Sequence, residues 1–303
     1  MIVEHANDCL PTALNLEIRS PTTMHAALLI GPEGLALSPN AAKDNLYLKT
    51  DEVIDISRAH KQHADLERSI RQLNVPVMLF AGRPEQPDGC FGNNVYGTTP
   101  DRLIIGHMYH PDRQTESKRM DVRDAFLDVL KRTIIDLSEE DCVAELTGCL
   151  VIDRGRGFGI CGLSTRADPA GASLMNDGFE LNMSLTTPLK SSEYHTNVVL
   201  ALLASRACVI APASFETDDA ARVVHALYKD NVVEIDDHQK ASFVANCIAV
   251  TPQDVMMSRR AAESLRAKEL TQIEDAGFKI HAVDVSEFEK AGGSLRCLVT
   301  EIF

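Results

Sequence analysis

The sequence contains no tryptophan, and phenylalanine and tyrosine bring its aromatic content to only 5%. A core in this chain must therefore be built from aliphatic side chains. Basic residues are also scarce: 30 Lys and Arg stand against 44 Asp and Glu, a formal net charge of −14. That excess repels phosphate backbones and anionic headgroups, so neither nucleic acid nor a membrane is an expected partner. No apolar run approaches the roughly 18 residues that a membrane-spanning helix needs. The first twenty residues carry Glu4 and Asp8 and lack the basic-then-apolar order of a secretory leader, so a cytoplasmic protein is expected. Eight cysteines, at 9, 90, 142, 149, 161, 208, 247 and 297, form no Cys-x-x-Cys pair, and no His-x-x-x-His accompanies them. This argues against a bound metal and against a disulfide scaffold. Most of these thiols are expected to be buried and inert.

What is present is a strand-rich pattern that repeats. Residues 22–39 read as a hairpin turning at Gly31–Gly34, followed by a helix over Lys61–Leu73 and a strand at 75–80. A second hairpin turns at Thr98–Asp101. Behind it, Val122, Phe126, Val129 and Leu130 mark one face of an amphipathic helix. Further hairpins turn at Gly155–Gly157, near Ala204–Arg206 and around Pro252. Helices are expected from Pro169, over 217–231 and over 259–277, and strands at 232–235 and 279–285. About five hairpin–helix–strand units recur every 50–60 residues or so, without a linker between them. One domain spanning 1–303 is expected, of mixed α/β class.

Chemistry concentrates at a few points. Gly292-Gly293 precedes a predicted strand carrying Cys297, and paired glycines let a backbone approach a ligand closely. His195 stands at the mouth of an apolar strand and Glu145 just before another. Asp88, Asn93 and Asn94 lie in a polar turn, and Arg166 follows a strand end. Each alone fits an ordinary structural residue.

Together and in order they resemble one superfamily, the guanidino-group-modifying (pentein) enzymes. These include dimethylarginine dimethylaminohydrolases, arginine deiminases, agmatine deiminases and amidinotransferases. The resemblance rests on Pro-Asp-x-x-Phe-x-x-Asn at 87–94, Glu-x-x-Gly at 145–148 and Gly-Leu-Ser-x-Arg at 162–166. It continues through His-x-Asn at 195–197 and the terminal Gly-Gly-x-x-x-Cys at 292–297. The branch it is most similar to is the arginine deiminase-related one, which includes citrulline hydrolases. The resemblance implies a five-bladed α/β propeller of ββαβ units, in line with the repeat count.

It also implies a machine without metal or organic cofactor. Cys297 would attack the central carbon of a guanidino or ureido group, and His195 would serve as acid and then base. Glu145 would orient the substrate nitrogens and hold His195. Arg166 would clamp an α-carboxylate, with Asp88, Phe91, Asn94 and Asn197 lining the substrate site. The partner would be a small amino acid, with a homo-oligomer left open. Where relatives place a second substrate-binding arginine, this chain reads His107 and His110, and Ala291 replaces a third glycine. Relatives that process a guanidinium often carry Asp at the positions of Asn94 and Asn197. Two neutral amides therefore point to a citrulline-like substrate ahead of an arginine-like one. Amidino transfer to an amine and a non-catalytic binding scaffold are the alternatives.

Overall fold

A computed structural model describes residues 1–303. Its strands form five small sheets arranged in a ring. After β1 (Ile2–Val3), the parallel pair β2 (Ala26–Ile30) and β3 (Val77–Phe80) begins the first sheet. The second holds β4 (Tyr96–Thr98), β5 (Arg102–Ile105) and β6 (Thr133–Asp136), and the third β7 (Leu150–Asp153), β8 (Phe158–Leu163) and β9 (Met183–Pro188), with β1 added parallel to β9 at its edge. The fourth holds β10 (Leu200–Leu203), β11 (Ala207–Ile210) and β12 (Val232–Glu234), and the fifth β13 (Ile248–Ala249), β14 (Asp254–Ser258) and β15 (Lys279–Val283). In these four sheets the first two strands are an antiparallel hairpin and the third returns parallel. Parallel return requires a crossover, and a helix supplies it. The blade unit expected from the repeat is present, and the fold is the five-bladed α/β propeller.

The ring closes through β16 (Thr300–Ile302). It pairs antiparallel with β2 in the register Thr300 to Leu28 and Ile302 to Ala26. The last strand thus stands where the other sheets have the first strand of their hairpin. First strands of neighbouring sheets pack side by side, β7 and β13 against β10 and β4 against β16, so they surround the centre. Aliphatic residues such as Val151, Leu200, Val209, Val233 and Val255 fill the space between sheets.

Four local readings differ from expectation. The run after Gly34 is loop, because β2 already has β16 on one edge and β3 on the other, leaving no edge for a hairpin partner. The helix with Val122 and Phe126 buried continues as a π-helix over Ala125–Val129. The wider π turn rotates the register, so Val129 is 73% exposed and Leu130 also faces out. The long helix expected over 259–277 is two, Arg259–Ser264 and Ala267–Asp275. Leu265 between them is extended, and the backbone N–H of Arg266 donates to Glu269, restarting the helix. Finally, Cys297 is not on a strand. It lies in the one-turn helix Leu295–Leu298 that leads into β16.

Candidate active site

One-turn helices recur at the approach to the first strands. Glu145 immediately precedes Leu146–Cys149 and β7, and His195 precedes Thr196–Val199 and β10. Asn94 ends a single 3₁₀ turn ahead of β4. These turns deliver side chains to one end of the ring's centre. There Cys297, His195, Asn94, Asp88, Phe91 and Arg166 line a common cavity.

Glu145 is the hub and is fully buried. Its Oε2 is 2.7 Å from His195 Nε2. Its Oε1 accepts from the backbone N–H of Tyr109 at 3.1 Å. Arg166 Nη1 reaches both oxygens at 3.2–3.3 Å, and Arg113 Nη1 lies 3.7 Å from Oε2. Burial opposes ionisation of this carboxyl, but Arg166, His195 and Arg113 outweigh it and hold it well below the usual carboxylate range. An ionised Glu145 requires a proton on His195 Nε2. The other ring nitrogen, Nδ1, then accepts from the Asn94 amide at 3.2 Å. Burial keeps the imidazole neutral, lowering its pKa despite Glu145. His195 therefore carries its lone pair on Nδ1, where the Asn94 amide engages it. The close approach depends on Gly148: a Cβ there would lie 2.5 Å from Asn94 Nδ2 and 2.9 Å from the imidazole.

Cys297 is 2% exposed, but all eight cysteines are buried and burial does not single it out. Its neighbours do. Asn246 Nδ2 donates to Sγ at 3.3 Å, and Asn197 Oδ1 lies 3.9 Å away. Burial raises the thiol pKa, offset in part by hydrogen bonds from the Ser294 side and from Asn246. Gly292, at φ +81°, turns the chain ahead of it; a Cβ would meet the Asn45 amide at 2.3 Å. Its carbonyl accepts from Tyr194 Oη at 2.7 Å. Ala291 lines the cavity at an ordinary φ of −80°, so no third glycine is needed.

Three expected roles are altered. Arg166 is not a free clamp: its Nε and Nη2 grip the Asp44 carboxylate at 2.8 and 2.7 Å. Asp44 also accepts from His110 Nε2 at 3.1 Å and Thr165 Oγ1 at 2.9 Å. Asn197 does not line the cavity. Its Nδ2 donates to the Thr147 carbonyl at 3.0 Å, and the residue lines a separate pocket with Thr147, Leu200 and Arg296. Glu145, with both oxygens engaged, is arranged to hold His195 rather than to meet a ligand.

The sequence reading missed three residues. Arg113 ends the stretch 106–113 in which only histidines seemed available, and it lines the cavity while paired with Glu116 at 2.8 Å. Asp44 comes from a loop without any motif. Asn246 had a signal in the spacing: Asn94, Glu145, His195, Asn246 and Cys297 follow at intervals of 51, 50, 51 and 51 residues. Asp88 carries the last feature of note. It is 4% exposed, its Oδ2 has no partner, and burial raises its pKa against Arg113 and Arg166.

Comparison with known proteins agrees in fold and length. The family model for eukaryotic N,N dimethylarginine dimethylhydrolase matches residues 31–303. YkgA of Bacillus subtilis is 21% identical over 280 residues, covering 91% of this chain and 90% of its own. The bifunctional arginine dihydrolase/ornithine cyclodeaminase ArgZ of Synechocystis is 20% identical over 81% of this chain, which corresponds to 33% of ArgZ. Among solved structures, the N-terminal domain of cyanobacterial ArgZ bound to product superposes with a TM-score of 0.79 at 19% identity, over 92% of this chain and 97% of that domain. A dimethylarginine dimethylaminohydrolase in adduct with S-methyl-L-thiocitrulline gives 0.69 at 19% identity, over 92% and 100%.

Proposed function

The chain belongs to the N,N dimethylarginine dimethylhydrolase family, and from that membership we propose that it hydrolyses a C–N bond in the guanidino group of an arginine-type amino acid, with Cys297 as nucleophile. The observation that carries the reading is the shared cavity, in which Cys297 and His195 face the same space as the unpartnered carboxylate of Asp88. A buried anion without a partner is costly, and a cationic ligand offsets that cost. A guanidinium supplies that charge, whereas a neutral ureido group does not. With Asn197 outside this cavity, the case for a ureido substrate rests on Asn94 alone, and we place arginine-like ahead of citrulline-like.

In this reading the Cys297 sulfur forms a bond to the guanidino carbon, and a C–N bond breaks. The thiol proton passes through His195 Nδ1, released from the Asn94 amide, to the departing nitrogen, and the same Nδ1 then removes a proton from an incoming water. Water adds to the same carbon, the S–C bond breaks, and sulfur recovers its proton. The ureido compound formed first remains complementary to Asn94, which offers one acceptor and two donors. Asp88 and Asn94 in one cavity thus favour a second round, in which the ureido product is hydrolysed to the amine, carbon dioxide and ammonia. One ammonia per arginine with citrulline accumulating supports a single hydrolysis; two with ornithine support both rounds. Cys297→Ser is expected to abolish turnover with circular dichroism unchanged, because a hydroxyl is a far poorer nucleophile near pH 7. Activity of the folded variant within tenfold of wild type would remove Cys297 from the mechanism.

A further inference from the structure

Asn246 lies in the segment leading to β13 and is fully buried. Its amide is pinned at both ends. Oδ1 accepts from the backbone N–H of Arg296 at 3.0 Å, and Nδ2 donates to the backbone carbonyl of Asn197 at 2.9 Å. A flipped amide would set an oxygen against that carbonyl and a donor against the Arg296 N–H, so the orientation is fixed by two main-chain groups. One N–H remains, and it faces Cys297 Sγ at 3.3 Å, with the Asn197 side-chain oxygen beside it at 3.4 Å. The group facing it can only be a hydrogen-bond acceptor, and the best acceptor state of a cysteine is the thiolate. A donor held in place before charge develops needs no reorganisation when it does.

We propose that Asn246 is the thiolate-stabilising donor of this site, holding Sγ in its attacking position and sharing the negative charge that sulfur carries before it bonds to substrate. The assignment rests on Cys297 being the nucleophile, as proposed above. It explains why this asparagine occupies the place in the spacing series between His195 and Cys297. In the attack, the thiol proton leaves sulfur for His195 Nδ1, and the N–H of Asn246 stays bonded to the sulfur. When the S–C bond breaks, the electron pair returns to a sulfur facing the same donor. The other titratable and charged groups around Cys297 are His195, Tyr194, Asp88, Arg113 and Arg296. None is altered in the variants below.

The test reads the thiol directly, without turnover. Arg296 precedes Cys297, so trypsin releases Cys297–Phe303 as one peptide. Iodoacetamide labelling of that peptide, followed by mass spectrometry from pH 6 upward, gives the thiol midpoint. Asn246→Ala is expected to raise the midpoint by about one unit, slowing labelling about tenfold at a given pH below it. Asn246→Asp keeps the acceptor for Arg296 but sets a carboxylate against the sulfur, and is expected to raise it further. A purely structural asparagine would lower thermal stability in both variants and leave the midpoint where it was. Should neither variant fold, the wild-type protein still answers. An asparagine side-chain amide resonance that titrates with the Cys297 midpoint, and ceases to do so in Cys297→Ser, supports the assignment. An unmoved midpoint in a folded variant, or no such resonance, overturns it. Shifted labelling without any turnover would instead overturn the hydrolase reading and leave Asn246 as the donor to a reactive thiol.

Discussion

At the scale of single residues the site is a set of commitments with one group left over. Glu145 spends both oxygens on His195, Arg166, Arg113 and the Tyr109 backbone, Arg166 also grips Asp44, and Arg113 is held by Glu116. Asp88 has charge to give and no hydrogen-bonded partner for Oδ2. Asp88→Asn removes that charge at nearly constant volume. It is expected to lower kcat/KM for an arginine-type substrate by about 5- to 150-fold, the range set by about 1–3 kcal/mol for one mispaired buried polar group. A neutral ureido substrate should lose much less. Equal losses for the two, measured side by side, would take the cation away from Asp88.

At the scale of elements, the short helices ahead of β7, β10 and β16 do the positioning, while the loop carrying Asp44 covers the site. Asp44 competes for Arg166 with any carboxylate that arrives from solution, so Asp44→Asn is expected to lower KM for substrates bearing an α-carboxylate and not for the decarboxylated analogue. Burial would raise the Asp44 pKa, but Arg166 chiefly, with His110 and Thr165, pulls it down to about 2. A depressed carboxyl pKa stabilises the folded form above the ordinary value of 3.8, and that contribution disappears as pH falls through about 2. The difference in Tm between wild type and Asp44→Asn should therefore be full at pH 5 and close by pH 2. A constant difference would mean that charge is not what the contact contributes. This is also the scale at which the sequence was least legible. Hairpin turns at Gly155–Gly157 and Ala204–Arg206 were readable because turn chemistry is local. The sites around Glu145, His195 and Cys297 were readable as motifs. The loop after Gly34 was misread because the partners of β2 lie up to 276 residues away, at Ile302. Asp44 carried no local signal, since only the closed ring brings it to Arg166. Arg113 stood in plain view, hidden by an expectation about the histidines before it.

At the scale of the whole molecule, closure matters most. Pairing β16 with β2 joins residues from opposite ends of the ring, and long loops are slow to close. The closing strand is fastened sideways as well. Thr98 Oγ1 donates to the Glu301 carbonyl at 2.9 Å and accepts from the Phe303 N–H at 3.0 Å, and Arg154 stacks on the Phe303 ring at 4.4 Å. Deleting residues 300–303 is expected to abolish activity and lower Tm; a truncated protein with normal Tm would show that the other sheets hold the ring unaided.

The strand that closes the ring begins three residues after Cys297, which makes the proposed nucleophile part of a latch. Whatever unfastens the ring disarms the thiol while the blades are still standing. Turnover and circular dichroism should then separate along a denaturant series, the first failing at the lower concentration. Catalysis in this protein would act as a gauge of whether the circle is shut.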